Sequence, residues 1–407
     1  MPTITRLPVV TPAQSLALAA TLVLPTVAQG TVIRRPAAVR LAGMADTDAR
    51  AIGLLRRLRA RYGDGPLLAR VPGRGLAMLP LAAADVRRVL EDPAFTPATE
   101  EKRGALAHFE PDAVLVTRDP ELRERRRELN ERVLCAGTAA HARVAEEESA
   151  ALPREGTLTW PQWHAVHWRV ARRVVLGDAA RDDVLLTTLL DRLRRDANWS
   201  YLRGRRTDVR DAFRRRLAAH LERAEPGSLA GALAAAHAGP EVHPEGQAPH
   251  WLFSFDAAAV AGYRALALLT AFPGPRDEAH LRAAALESLR LWPTTLAILR
   301  EAAGPNPWDL PPGTLVVVYS PYVNRAEPGD NYRPGLWLDG GESWAGVPFS
   351  AGFARCPGRD LVLTTTAALL RAFLRERSAV PSLTLEDPLP AALDHIRLRF
   401  TVNPAER

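Results

Sequence analysis

The chain has 407 residues, 47% hydrophobic and 24% charged, which excludes a disordered or fibrous protein and allows a large folded core. The formal net charge of +7 comes almost wholly from arginine, Lys102 being the sole lysine. The arginines alternate with Asp and Glu, which argues against nucleic-acid binding and suits a local basic face for an acidic protein partner. The two cysteines, Cys135 and Cys356, lie far apart, which argues against a disulfide framework and for a reducing, cytoplasmic compartment.

Residues 16–33 form an apolar run broken by Pro25, Gln29 and Gly30, with only Arg6 before it. A membrane span needs about 20 cleaner residues, and a signal peptide needs a basic start. A packed N-terminal segment without stable membrane insertion is expected. Residues 46–62 repeat Ala51, Leu54, Leu55, Leu58 and Tyr62 at helical spacing. Residues 66–80 read as a hairpin around Pro72-Gly73-Arg74-Gly75. Helices are expected over 83–91 and 119–134 with a loop between them, then over 158–175, 181–196 and 205–224. A loop rich in Pro, Gly and His at 239–249 leads to a very apolar helix, Trp251 to Phe272. Next come a helix over 277–291, strands near 296–302 and 314–318, and an irregular stretch at 319–348. Leu383 to Val402 reads as a small antiparallel sheet. The balance is mainly α with a minor β region, and no internal repeat is visible.

The irregular stretch leads into Phe349-Ser350-Ala351-Gly352-Phe353-Ala354-Arg355-Cys356-Pro357-Gly358-Arg359. A Gly-bearing loop here delivers a thiol to the first turn of a helix expected from Pro357 to about Arg377. Backbone N–H groups and the helix dipole lower the cost of a thiolate there. Upstream, Glu287 and Arg290 are three apart on a helix and share a face. Leu286, Leu289 and Leu291 flank them, so the pair is expected to be partly buried.

A Glu-x-x-Arg helix followed by Phe-x-x-Gly-x-x-x-Cys-x-Gly resembles the cytochrome P-450 family, and the likeness in length and helix order covers nearly the whole chain. The resemblance implies a triangular, mostly helical fold in a single domain over 1–407, with an N-terminal β-rich part at about 30–80 and a haem-binding part at about 250–407. It implies haem b (iron protoporphyrin IX) with Cys356 as the metal ligand, whose thiolate favours O–O cleavage. Phe349 would pack beside the sulfur, and Gly352 and Gly358 would permit close approach to the porphyrin. Glu287 and Arg290 would brace the irregular stretch. Arg127, Arg123 one turn earlier and Arg300 would hold the haem propionates, and Arg355 would bind the cofactor from its proximal face.

The resemblance also locates departures. The family usually carries an acid followed by Thr on its apolar helix. Here Asp256 keeps the acid and Ala257 replaces the alcohol, so the two are the candidate catalytic positions. Two residues before the cysteine, Ala354 stands where Arg or His is usual, with Arg355 one place later. In Tyr332-Arg333-Pro334-Gly335-Leu336-Trp337, Gly335 and Leu336 replace a Glu-Arg pair, so an ion-pair triad lacks its third member. The substrate pocket would be floored by Ala257, Ala258, Val260 and Ala261 and walled by Thr294, Thr295, Leu296, Ala297 and Ile298. Trp199 and Tyr201 are candidate roof residues, with the 92–118 loop and the helices near 183–224.

His164 and His167 share a helix face and could bind a metal, but with no nearby acid or Cys in the pattern a surface or core role is expected. No phosphate loop or dinucleotide fingerprint is present, so the electrons must come from elsewhere. The expected activity is a soluble bacterial-type (actinobacterial-type) monooxygenase, an oxidoreductase acting on paired donors with O2. It would oxidise a small hydrophobic metabolite in secondary metabolism. A ferredoxin and an NAD(P)H-dependent ferredoxin reductase would supply electrons, docking near Arg123, Arg126, Arg355 and Arg359, and the enzyme would be a monomer. The alternatives are a peroxide-driven peroxygenase, an oxidative C–C or C–N coupling catalyst, and a haem sensor without turnover.

Overall fold

In the computed structural model, which describes residues 7–71, 73–112, 114–338 and 346–405, capping chemistry sets the start of the chain. Arg6, Pro72 of the expected hairpin turn and residues 339–345 of the expected irregular stretch lie outside the described residues. The Thr11 and Gln14 side chains cap each other's backbone N–H groups, and Pro12 opens the helix Pro12–Leu18. A π-helical turn, Ala19–Val23, leads into Leu24–Gln29. Leu18 and Leu22 enter the core while Leu16 and Leu24 face solvent, so this apolar run is an amphipathic segment packed on one face.

Among the described residues eight strands form: β1 Leu67–Val71, β2 Gly75–Leu79, β3 Phe95–Thr96, β4 Gly156–Thr159, β5 Ala297–Ala302, β6 Leu315–Tyr319, β7 Arg377–Pro381 and β8 Arg399–Pro404. The chain divides into two compact units, each assembled from separated stretches. The first comprises Met1–Lys102, Leu289–Cys356 and Asp387–Asp394; the second comprises Arg103–Ser288, Pro357–Glu386 and His395–Arg407.

The first unit contains a sheet in the order β1-β2-β6-β5-β3, with β2 and β6 parallel. The hairpin pairs Leu67 with Leu79 through Val71 with Gly75, as the alternation predicts. Helix Thr47–Tyr62 and helix Ala83–Glu91 lay Leu54, Leu55, Leu58, Val86, Val89 and Leu90 into one core with Met78, Val316 and Val318. Each such side chain contributes roughly 1.5–3 kcal/mol on burial. The irregular stretch begins later than expected, because Ser320–Ala326 is a helix with Pro321 in its first turn.

The second unit is helical apart from the sheet β4-β8-β7. Helix Ala248–Ala271 packs against helices Trp160–Leu176 and Arg359–Glu376. Gly262 permits this crossing: a Cβ there would lie 3.1 Å from Trp163 and 3.2 Å from Thr366. Among the described residues one helix, ending at Ala271, is apolar and long enough to cross a membrane, and 72% of its most apolar window is buried in the protein.

Three expectations need correction. The 92–118 stretch holds β3 and the helix Glu100–Leu106. Only Arg399–Pro404 of the C-terminal stretch forms a strand, since Pro388 and Pro390 cannot donate to a ladder. The helix after the cysteine starts at Arg359, because Pro357 and Gly358 form a turn and Gly358, at φ −80° and ψ 4°, caps it. Cys356 therefore precedes the first helical turn, and the dipole acts on it less than expected.

Candidate active site

In the first unit the thiol loop is shaped by its own backbone. The Cys356 N–H donates to the Phe349 carbonyl at 2.9 Å, and the Arg355 N–H donates to the Gly352 carbonyl at 3.1 Å. Gly352 has φ 64°, and a Cβ there would stand 2.1 Å from the Leu90 carbonyl oxygen, so only glycine fits. Cys356 is half-buried and, like Cys135, is in no disulfide. Ser350, also at positive φ (60°), accepts a bond from the Arg300 guanidinium at 3.0 Å, which fastens β5 to the loop.

Arg300 is buried, and its guanidinium also donates to the Leu299 carbonyl at 3.0 Å. The same carbonyl accepts from the Lys102 ammonium at 3.1 Å. Two cations thus meet at one oxygen. Burial, with the Arg300 charge adding to it, brings the Lys102 amine down to about 7. An anion placed here would relieve both groups. Nothing in the local sequence around Lys102 signalled this, although its being the only lysine was visible.

Glu287 and Arg290 are both 0% exposed, as the flanking leucines suggested. The Arg290 guanidinium donates to the carbonyls of Asn324 (3.2 Å), Gly329 (2.8 Å) and Asn331 (2.6 Å). Backbone oxygens thus serve where Leu336 offers no charge. Sequence reasoning missed the second clamp: buried Arg325 pairs with Asp330 at 2.8 Å and donates to the Leu291 and Pro390 carbonyls at 2.8 Å each. Asn324 then accepts from the Val347 N–H at 2.9 Å, two residues before Phe349.

In the second unit, Asp256 is held from two sides. One oxygen meets His164 Nε2 at 2.8 Å, and the other accepts from Arg194 at 2.9 Å. Arg194 also pairs with Asp191 at 3.1 Å and lies over the Phe253 ring at 5.4 Å. Burial pushes the Asp256 carboxyl up, but the Arg194 charge and the His164 bond outweigh it and hold the group well below the usual carboxylate range. Burial raises Asp191, opposed by Arg194. Ala257 is half-buried, and helix Ala248–Ala271 continues through it without interruption. Neither Arg194 nor His164 was assigned to Asp256 from sequence, because they arrive from helices Val184–Ala197 and Trp160–Leu176, 62 and 92 residues away.

The metal reading of the histidine pair fails. His167 is buried, bonded to the Trp163 carbonyl at 3.2 Å and pushed down by burial to about 3, while His164 is taken by Asp256. No cluster of metal-ligating side chains occurs among the described residues.

Ala258, Val260 and Ala261 are buried in helix Ala248–Ala271. Leu296 and Ile298 pack into the core of the first unit, Thr294 and Ala297 are half-buried, and Thr295 is exposed. Tyr201 is exposed, with its ring 6.0 Å from Trp199. On helix Pro120–Leu134, Arg123 is half-buried, and Arg127 pairs with Glu131 at 2.6 Å. Arg126 corrects the expected docking face: it is buried and donates to the Val114 carbonyl at 3.0 Å. Arg355 is exposed, Arg359 pairs with Asp360 at 2.9 Å, and Gly358 is buried.

No protein-family model and no curated protein matches the sequence. Solved structures do. A six-coordinated cytochrome P-450 from Thermus thermophilus matches with a TM-score of 0.65 at 23% identity, over 87% of this chain and 98% of its own. The cyanobacterial CYP120A1 with retinoic acid bound gives 0.68 at 15% identity, over 86% and 94%. CYP152B1 in complex with (R)-ibuprophen gives 0.66 at 19%, over 86% and 96%. This chain has the cytochrome P-450 fold.

Proposed function

We propose that this chain is a haem-thiolate oxidase or monooxygenase, with Cys356 as the iron ligand. The observation that carries the reading is the loop around Cys356, closed on Phe349 and tied by Ser350 to Arg300, beside a second cation, Lys102. This donor set suits haem b: a soft sulfur for the iron and cations for the carboxylates. Haem bound there would supply oxygen activation. Arg300 and Lys102 would hold a propionate, Lys102 doing what Ala354 cannot, with Arg123, Arg127 and Arg355 as further candidates. Phe349 would shield the sulfur from water.

Asp256 and Ala257 are the candidate proton-handling positions, and Ala258, Val260 and Ala261 on the same helix are candidate surfaces for a small hydrophobic metabolite, whereas Leu296 and Ile298 are taken up by the core of the first unit. Electrons would come from a ferredoxin and its NAD(P)H-dependent reductase, in the cytoplasm of a cell making secondary metabolites. A second reading, peroxide-driven or coupling oxidation, is favoured by the missing hydroxyl at Ala257. Reduced protein with carbon monoxide is expected to absorb at about 450 nm, the mark of thiolate ligation; a band at about 420 nm in undamaged protein would overturn the assignment. Turnover with peroxide alone, against ferredoxin, reductase and NADPH, decides between the two oxidants.

A further inference from the structure

We infer, on the haem-thiolate reading above, that Trp163, Tyr263 and Trp160 form an electron path that drains unspent oxidising equivalents from the haem site to the protein surface. A haem that activates oxygen or peroxide with no substrate in reach leaves a strong oxidant inside the protein. Indole and phenol rings can each give it one electron. Three of the chain's nine tryptophans, Trp160, Trp163 and Trp168, fall within nine residues of one helix. Neither the thiol loop nor the charge pairs of Asp256 use them.

The path lies within the second unit and is continuous. Its inner end is Trp163, 0% exposed, whose N–H donates to the Ala259 carbonyl at 2.9 Å, two residues along from Ala257. The ring packs on the helix that carries Ala257 and on the helix that follows Cys356. A Cβ at Gly262 would stand 3.1 Å from Trp163 and 3.2 Å from Thr366, and the Phe373 ring is 6.3 Å from that of Trp163. Tyr263 comes next, its ring 5.6 Å from Trp163 at 43° and 5.7 Å from Trp160 at 61°. These are the tilted and edge-to-face contacts of packed aromatic rings, and they leave no gap between the three π-systems. Trp168 is off the path: it is 8% exposed and reaches Trp160 across the His164 ring.

Protons decide where the hole stops. An oxidised indole or phenol settles as a neutral radical once it gives up its N–H or O–H proton. Trp163 donates to a backbone carbonyl, and the Tyr263 hydroxyl donates toward the carbonyls of Leu158 (3.2 Å) and Leu398 (3.0 Å). None of these oxygens is a base that takes a proton, and burial pushes the Tyr263 hydroxyl up. Both rings therefore pass an electron without holding the hole. Trp160, half-buried at the start of its helix, can lose its proton to water.

The electrons balance. The oxidant at the haem site gains one electron from Trp163, and Trp163 regains it from Trp160 across the Tyr263 ring. The Trp160 N–H bond breaks and its proton goes to water. A small reductant of the thiol or ascorbate class then returns a hydrogen atom to Trp160 and is itself oxidised by one electron.

To test the path, hydrogen peroxide is mixed with the substrate-free, haem-loaded full chain, and the mixture is frozen rapidly for electron paramagnetic resonance. The wild type should show an organic radical whose line shape narrows with ring-deuterated tryptophan and is unmoved by ring-deuterated tyrosine. The signal should be lost in Trp160→Phe, which should also lose haem absorbance faster per equivalent of peroxide. Trp160→Tyr should restore a radical, now narrowed by deuterated tyrosine, and it carries the test if the phenylalanine variant does not fold. Packing alone would leave the signal indifferent to position 160. The path is overturned by a wild type with no protein radical or with a tyrosyl line shape, or by a tryptophan signal that persists in either folded variant. The carbon monoxide band keeps the two readings apart: its loss from the wild type removes the haem-thiolate reading, while its retention beside any of those outcomes removes only the path.

Discussion

The thiol loop and the Asp256 cluster are built in opposite ways. Around Cys356 the backbone does most of the work within a few residues: Phe349 to Cys356, Gly352 to Arg355, and two positive-φ residues that turn the chain. Around Asp256 the backbone is plain helix, and side chains from three helices spanning 92 residues make the arrangement. A locally closed loop presents one atom to a ligand. A non-local charge cluster instead tunes how a group carries a proton, and it does so by balancing burial against charge.

The contrast can be broken at four points. Cys356→Ser should abolish the band at about 450 nm altogether, since serine offers no thiolate, while leaving the Asp256 cluster intact by infrared spectroscopy. Arg194→Met should cost about 1–3 kcal/mol in urea unfolding at pH 7, because it strips a charge partner from a half-buried carboxylate. The pH sign follows. In the wild type Asp256 titrates below its unfolded value of about 4, so its stabilisation is present above that pH and lost on acidification. Without Arg194, burial dominates, the folded-state value rises above the unfolded one, and the deficit should shrink as pH falls from 7 to 5. A pH-independent deficit would remove Arg194 as the clamp.

Gly352→Ala should cost about 1–3 kcal/mol in thermal unfolding, from its left-handed φ and the 2.1 Å approach to Leu90. It should also weaken haem retention; an unaffected protein would show that the loop has room. The smallest effect is expected at Lys102. Lys102→Met should lower haem affinity by about fivefold, the loss of one charged hydrogen bond. In the haem-free protein the same change should raise stability below pH 7, where the wild type keeps a charged ammonium against Arg300. The sign is that of a lysine lowered to about 7 in the fold: its penalty is full below that pH and fades as pH rises through it. As the chain has one lysine, haem should also slow its acetylation, read as a single site by mass spectrometry.

Legibility follows the same division. The helices over 83–91, 119–134 and 277–291 and the hairpin over 66–80 were readable because apolar periodicity and turn residues are local. Strand β3 within 92–118 and the start of β8 at Arg399 were not, because their pairing depends on strands distant in the chain.

By itself the sequence determined the thiol, its glycine loop, the buried Glu287–Arg290 helix and the acid without its alcohol, since each is a residue type at a short spacing. Tertiary structure alone decided that Arg126 is buried rather than facing a partner, that Arg290 leans on carbonyls, that Lys102 meets Arg300, and that His164 and Arg194 enclose Asp256. Those are questions of which side chain desolvates which charge. That free energy depends on separations of a few ångströms between residues far apart in the chain.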